Sequence, residues 1–117
     1  MKFFFYLEQN IKLLQEKYSE KHPVFTRAPE SYCIRCYNTD EWRVLSAVFR
    51  YLGYDPIEFS EHRYKQSDFT IGNPLCVGIN GICLFLNEGG RGLFRRRYDF
   101  QFICQTNINL RLDNEVK

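Results

Sequence analysis

Two short apolar runs, Leu75-Cys76-Val77-Gly78-Ile79 and Ile82-Cys83-Leu84-Phe85-Leu86, flank the dipeptide Asn80-Gly81. Asn-Gly between such runs is the strongest short-range hairpin signal, because a type I′ turn needs positive φ at both central residues. With those two residues as the loop, Ile79 pairs with Ile82, Val77 with Leu84 and Leu75 with Leu86. That face is wholly aliphatic. The opposite face sets Cys76 beside Phe85 and Gly78 beside Cys83, and it is apolar as well. A hairpin that is apolar on both sides has to be covered on both, so it belongs in the centre of a sheet or in a subunit contact.

Two helices are legible. Leu7, Ile11, Leu14 and Tyr18 recur at spacings of four, three and four, one face of a 3.6-residue period. Glu8 and Lys12 form a favourable i,i+4 pair on the wet side, and Pro23 requires the helix to end before it. The second helix carries start and stop signals at both ends. Asn38 or Thr39 can cap it, Asp40 and Glu41 favour its positive end, and Gly53 suits its exit. Trp42, Leu45, Val48, Phe49 and Leu52 make its apolar stripe, the signature of a core-facing helix. Residues 32–37 read as a strand, and residues 93–105 as another. In the latter, Phe94, Tyr98, Phe100, Phe102 and Cys104 share parity against Arg95, Arg97, Asp99 and Gln101. An alternation through Ile108, Leu110 and Leu112 predicts an edge strand. Residues 54–67 are polar and irregular, a long loop of the kind that often carries function. The expectation is one α+β domain with two helices on a mostly antiparallel sheet of four to five strands. Within it the N-terminal helix spans 1–22, the core 32–105, and the edge strand and tail 106–117.

Aromatic residues make up 17% of the chain, so the core is built from large rings and branched aliphatics. No apolar run approaches the roughly 18–20 residues that cross a bilayer. The apolar start, residues 3–7, is too short for a secretory leader and is interrupted by Glu8. An odd number of cysteines, five, without a leader argues for reduced thiols in a cytoplasm rather than a disulfide scaffold. Cys33 and Cys36 have the spacing of half a zinc site, with Cys76 and Cys83 available as the other half. Residues three apart on a strand face opposite sides, however, so buried structural cysteines are the better reading. No metal and no cofactor are expected.

The functional candidate is an arginine cluster, Arg91, Arg95, Arg96 and Arg97, beside the glycine turn at Gly89 and Gly90. Glycines let a backbone approach a ligand, and arginine offers planar bidentate donors for carboxylate or phosphate. Tyr64 and Phe69 are candidate anchors from the loop. An acidic protein surface, a nucleotide and a nucleic acid all suit this chemistry. Rings interleaved with arginine suggest base stacking only superficially, since the parity puts rings and charges on opposite faces. A net charge of +2 does not single out nucleic acid. Glu58, Glu61 and His62 bring acid and base types together, but without metal-ligand or nucleophile spacing, and no catalytic residue is assigned.

The run Tyr32-Cys33-Ile34-Arg35-Cys36, then Thr39-Asp40-Glu41-Trp42-Arg43, then Leu52-Gly53-Tyr54 and a meander, resembles small accessory proteins of bacteriophages. In those, a strand leads into a helix that starts near a Glu-Trp pair and ends in Leu-Gly-Tyr before antiparallel strands. The resemblance covers residues 32–102 and implies a non-enzymatic protein of a host cytoplasm that inhibits a host enzyme or defence complex. The leading expectation is a binding or inhibitory module docking on a larger host protein. A nucleic-acid or nucleotide binder using the same arginines is the alternative.

Overall fold

The computed structural model describes residues 6–21, 32–69, 73–79, 83–85 and 96–108, with α1 side chains described through residue 16. In chain order the elements are α1 (Leu7–Lys21), β1 (Tyr32–Cys36), α2 (Thr39–Tyr51), a short 3-10 helix (Gln66–Asp68), β2 (Leu75–Gly78), β3 (Cys83–Phe85), β4 (Arg96–Asp99) and α3 (Phe100–Gln105). The strands form one sheet in the order β3-β2-β1-β4. β2 runs antiparallel to both β1 and β3, whereas β4 joins β1 in parallel. The class is α+β, as the element pattern predicts, with three helices and a mixed sheet.

The second helix forms where its end signals place it. The Asn38 side chain accepts the Glu41 N–H at 2.9 Å, and the Glu41 carboxylate reaches back to the Tyr37 N–H at 2.9 Å. The first bond satisfies a donor that the helix start leaves over, and the second ties the residue ahead of the cap to the first turn. At the other end Gly53 N–H bonds the Arg50 carbonyl and Tyr54 N–H bonds the Phe49 carbonyl, both at 3.0 Å. This Schellman pairing needs a residue of positive φ, and Gly53 supplies it at +101°. Trp42, Leu45 and Phe49 are fully buried and Val48 and Leu52 partly so. Each of the three large side chains contributes roughly 1.5–3 kcal/mol by leaving water.

One core joins the helices to one face of the sheet. Leu7, Ile11 and Leu14 from α1, the α2 stripe, and Phe100, Ile103 and Cys104 from α3 pack with Ile34, Cys36, Leu75 and Val77. The joint between α1 and α3 is polar. Buried Asn10 donates from Nδ2 to the Ile103 and Thr106 carbonyls, each at 2.7 Å, and accepts the Ile108 N–H at 3.3 Å. Asn10 thus serves carbonyls left open by the end of α3.

Two expectations are corrected. The strand read over residues 93–105 is a strand only as far as Asp99, and Phe100 opens a helix. Phe100, Ile103 and Cys104 are its buried residues, spaced three and one apart, so the same letters satisfy a helical period as well as an alternating one. The hairpin register is also one residue away from that of an Asn80-Gly81 loop. Leu75 faces Phe85, Cys76 faces Leu84 and Val77 faces Cys83. A one-residue slip turns every side chain over, so Leu84 lies with Cys76 on the face away from the helices rather than with Val77. β2 is fully buried and internal to the sheet, while β3 lies at its edge. Of the expected last strand, Ile108 is a buried turn residue and the remainder lies outside the described residues.

Candidate functional site

Strand alternation and register together assign every described strand residue to a face. Tyr32, Ile34, Cys36, Leu75, Val77, Cys83 and Tyr98 belong to the helix-covered core. The opposite face therefore carries Cys33 and Arg35 from β1, Cys76 and Gly78 from β2, Leu84 from β3, and Arg97 and Asp99 from β4. Tyr37, just past β1, has the same parity. On this face Asp99 is the organising group. Its Oδ1 accepts the Arg35 Nε–H at 2.8 Å and the Tyr37 hydroxyl at 2.7 Å, and the second Arg35 nitrogen stands 2.7 Å from it. Burial first, and then the bond to Asp99, push the Tyr37 hydroxyl up to about 12.

Asp99 also stands at the N-cap of α3, yet its side chain makes no capping bond there. Its carboxylate is committed to Arg35 and Tyr37 instead. The result fixes a guanidinium and a phenol at the end of the sheet, with Tyr37 still 44% exposed. Arg97 lies diagonally from Arg35 across the parallel pairing, since Arg97 faces Cys33 and Asp99 faces Arg35.

The arginine cluster expected from sequence is divided by the strand. Arg96 and Arg97 are successive residues of β4 and project to opposite sides, Arg96 toward the helix layer beside Tyr98. Arg91, Arg95, Gly89 and Gly90 lie outside the described residues. Sequence reasoning does not single out Arg35 and Asp99. The available signal is their presence on strands whose neighbours are apolar.

The loop aromatics are held by the fold. Tyr64 meets Trp42 edge-on at 4.9 Å and Phe85 at 5.2 Å, and Phe69 stands 6.0 Å from Phe85. Phe59 is fully buried, stacked on Phe49 at 4.8 Å. The loop itself is tied down by polar bonds. Trp42 Nε1 donates to the Ser60 carbonyl at 2.9 Å, the Tyr54 hydroxyl donates to the Ile79 carbonyl at 2.7 Å, and Arg50 donates to the Phe59 carbonyl. Phe85, 42% exposed, marks where this ring cluster meets solvent at the sheet edge.

The five cysteines are free thiols, and four of them are buried. Cys33 and Cys36 do point to opposite faces of β1, Cys33 toward Cys76 and Cys36 into the main core. Among the described residues no three or more His, Cys, Asp or Glu side chains converge as a metal site would need. Burial pushes the Cys83 thiol up to about 11 and, with Glu41 adding to it, the Cys104 thiol up to about 12. Both thiols are thereby held in the protonated form at neutral pH. Cys76 differs: the hydrogen bond from the Cys33 thiol pulls it down, burial opposes this, and Arg35 and Arg97 pull it down further.

His62 lies on the loop surface, with Glu61 3.9 Å away. Among the described residues no helix is long and apolar enough to cross a membrane. Comparison with protein-family models, with curated proteins and with solved structures finds no match.

Proposed function

We propose that this chain is a non-enzymatic binding module that docks on an acidic surface of a larger protein, with the solvent-reached end of the second sheet face, around Arg35 and Tyr37, as the contact. The observation that supports it is the placement of Arg35 on β1, Tyr37 just past it and Arg97 on the adjoining β4, with Asp99 fixing the first two. Arginine and tyrosine are the residue types that dominate binding energy at interfaces. Side chains held by a sheet lose little freedom on binding, so less of the contact energy is spent on ordering them. Arg91 and Arg95 add positive charge just ahead of β4 in the sequence. The resemblance to bacteriophage accessory proteins extends this reading to an inhibitor acting on a host enzyme or defence complex in a host cytoplasm.

The test is comparative capture from host lysate with the full chain and with a variant carrying Arg91→Glu, Arg95→Glu and Arg97→Glu. The expected result is a protein retained by the parent chain, resistant to nuclease treatment, and lost with the variant while its circular dichroism is unchanged. Undiminished capture by the variant would refute the assignment. Capture that disappears on nuclease treatment, with affinity falling steeply with salt, would replace it by nucleic-acid binding.

A further inference from the structure

The small cluster on the second sheet face has a chemistry that docking does not use. Cys33 and Cys76 are buried against each other with Leu84 packed on them, apart from the main core. Cys33 faces Gly78 and Cys76 faces Arg35, so the two cysteines are diagonal neighbours on antiparallel strands. The Cys33 thiol donates a hydrogen bond to the Cys76 sulfur; that bond and burial hold Cys33 up while the same bond draws Cys76 down, so a bound cation has to displace the Cys33 proton. Arg35 and Arg97 act on both sulfurs electrostatically.

Geometry decides what such a pair can bind. Diagonal neighbours across an antiparallel pair lie about 7–8 Å apart, whereas disulfides span Cα separations of about 4.4–6.8 Å. Closing a disulfide here would need the strands to move. Two metal–thiolate bonds of about 2.3 Å each reach about twice as far as an S–S bond of about 2.05 Å. A cation between the sulfurs therefore suits the diagonal better than a covalent bridge. Zinc is disfavoured by ligand number, because it takes four ligands and Cys36, the nearest cysteine in sequence, faces the other side of the sheet. A soft monovalent ion accepts two thiolates and prefers them to oxygen donors. Two thiolates and one monovalent cation leave one net negative charge, which Arg35 and Arg97 are placed to offset.

We propose that Cys33 and Cys76 form a two-coordinate thiolate site for a soft monovalent cation of the copper(I) class. Binding breaks two S–H bonds and forms two Cu–S bonds. Both protons pass to solvent and the copper stays in its +1 state, so no oxidant or reductant is consumed.

The probe is copper(I) itself, titrated anaerobically into the reduced full chain against bicinchoninate as a competing chelator. One copper per chain is expected to survive gel filtration, and Cys33→Ser or Cys76→Ser to lower retention at least tenfold. A Cys36→Ser, Cys104→Ser double variant is expected to keep the copper. X-ray absorption of the loaded parent chain, which depends on no variant, should show a two-sulfur shell. Failure of the parent to retain copper against the chelator overturns the site. So does a shell of three or four sulfurs, or retention unchanged in both single variants. A Cys33–Cys76 disulfide forming readily in air would overturn the geometric argument behind it.

Discussion

Replacing Asn10 by alanine should loosen the protein at the joint between α1 and α3. The side chain is only 2% exposed and makes three hydrogen bonds, to the Ile103 and Thr106 carbonyls and from the Ile108 N–H. Alanine removes all three and leaves two carbonyls and one N–H without this partner. A hydrogen bond nets about 0.5–1.5 kcal/mol, and a buried group left unpaired costs about 1–3 kcal/mol. Water entering the vacated space recovers part of that, so a loss of roughly 3 kcal/mol is expected. Unfolding entropy near 2.1 cal/mol/K per residue converts this to a fall in Tm of roughly 10 °C for a chain of this length. Urea denaturation followed by circular dichroism and by the fluorescence of Trp42 measures it directly. Asn10→Asp is the sharper companion, because it keeps the shape but sets a carboxylate against two carbonyl oxygens. The fold should raise that carboxyl's pKa, since the charged form is disfavoured there. Asn10→Asp should therefore be destabilised most at neutral pH and recover as pH falls through the raised pKa. An Asn10→Ala protein within about 0.5 kcal/mol of the parent, or an Asn10→Asp protein indifferent to pH, would refute the idea that this side chain holds the joint.

Two further outcomes test the ends of α2 and the second sheet face. A Cβ at Gly53 meets no atom within 4 Å, so Gly53→Ala should cost about 1–2 kcal/mol through its positive φ alone, readable as a lower urea midpoint with an unchanged slope. Tyr37 is expected to titrate late, at about 12, in a phenolate absorbance difference between the parent and Tyr37→Phe. Because its folded pKa lies above the unfolded value, its contribution to stability is whole below about pH 10 and is lost as pH rises through the folded value. Asp99→Ala should bring the midpoint down, and an unchanged midpoint would count against the Asp99 bond as a cause.

The sequence is most readable where local signals agree with the tertiary result. α2 has a cap residue, acidic residues in its first turn, an apolar stripe and an exit glycine, and each finds its expected use. The order of β1 and α2, and the opposed directions of Cys33 and Cys36, also follow from the letters. The break at Asp99 does not. Phe100 to Cys104 satisfies both periods, and the one residue that would advertise a helix start, Asp99, spends its carboxylate on Arg35 and Tyr37. The hairpin register misleads because Asn-Gly speaks for a loop, while the register is fixed by which side chains the two faces can accept. The site is legible only in part. Arg97 stands out in a run of arginines, whereas Arg35 enters only through a partner 64 residues distant in sequence. Asn10 is hidden for the same reason, since its partners lie 93 to 98 residues away.

The parallel pairing of β1 with β4 has a consequence for how the chain is made. β1 leaves the ribosome well before β4, which is synthesised about 60 residues later, a wait of several seconds at ordinary rates of about 5–20 residues per second. Until then one edge of β1 and the underside of α1 are open, and the nascent chain can hold only α2 and the antiparallel strands. Long-range pairings of this kind form slowly. Folding should thus finish in a single late step, when residues 96–108 close over β1 and α1 together, and ribosome-bound chains that stop short of residue 96 should remain sensitive to protease.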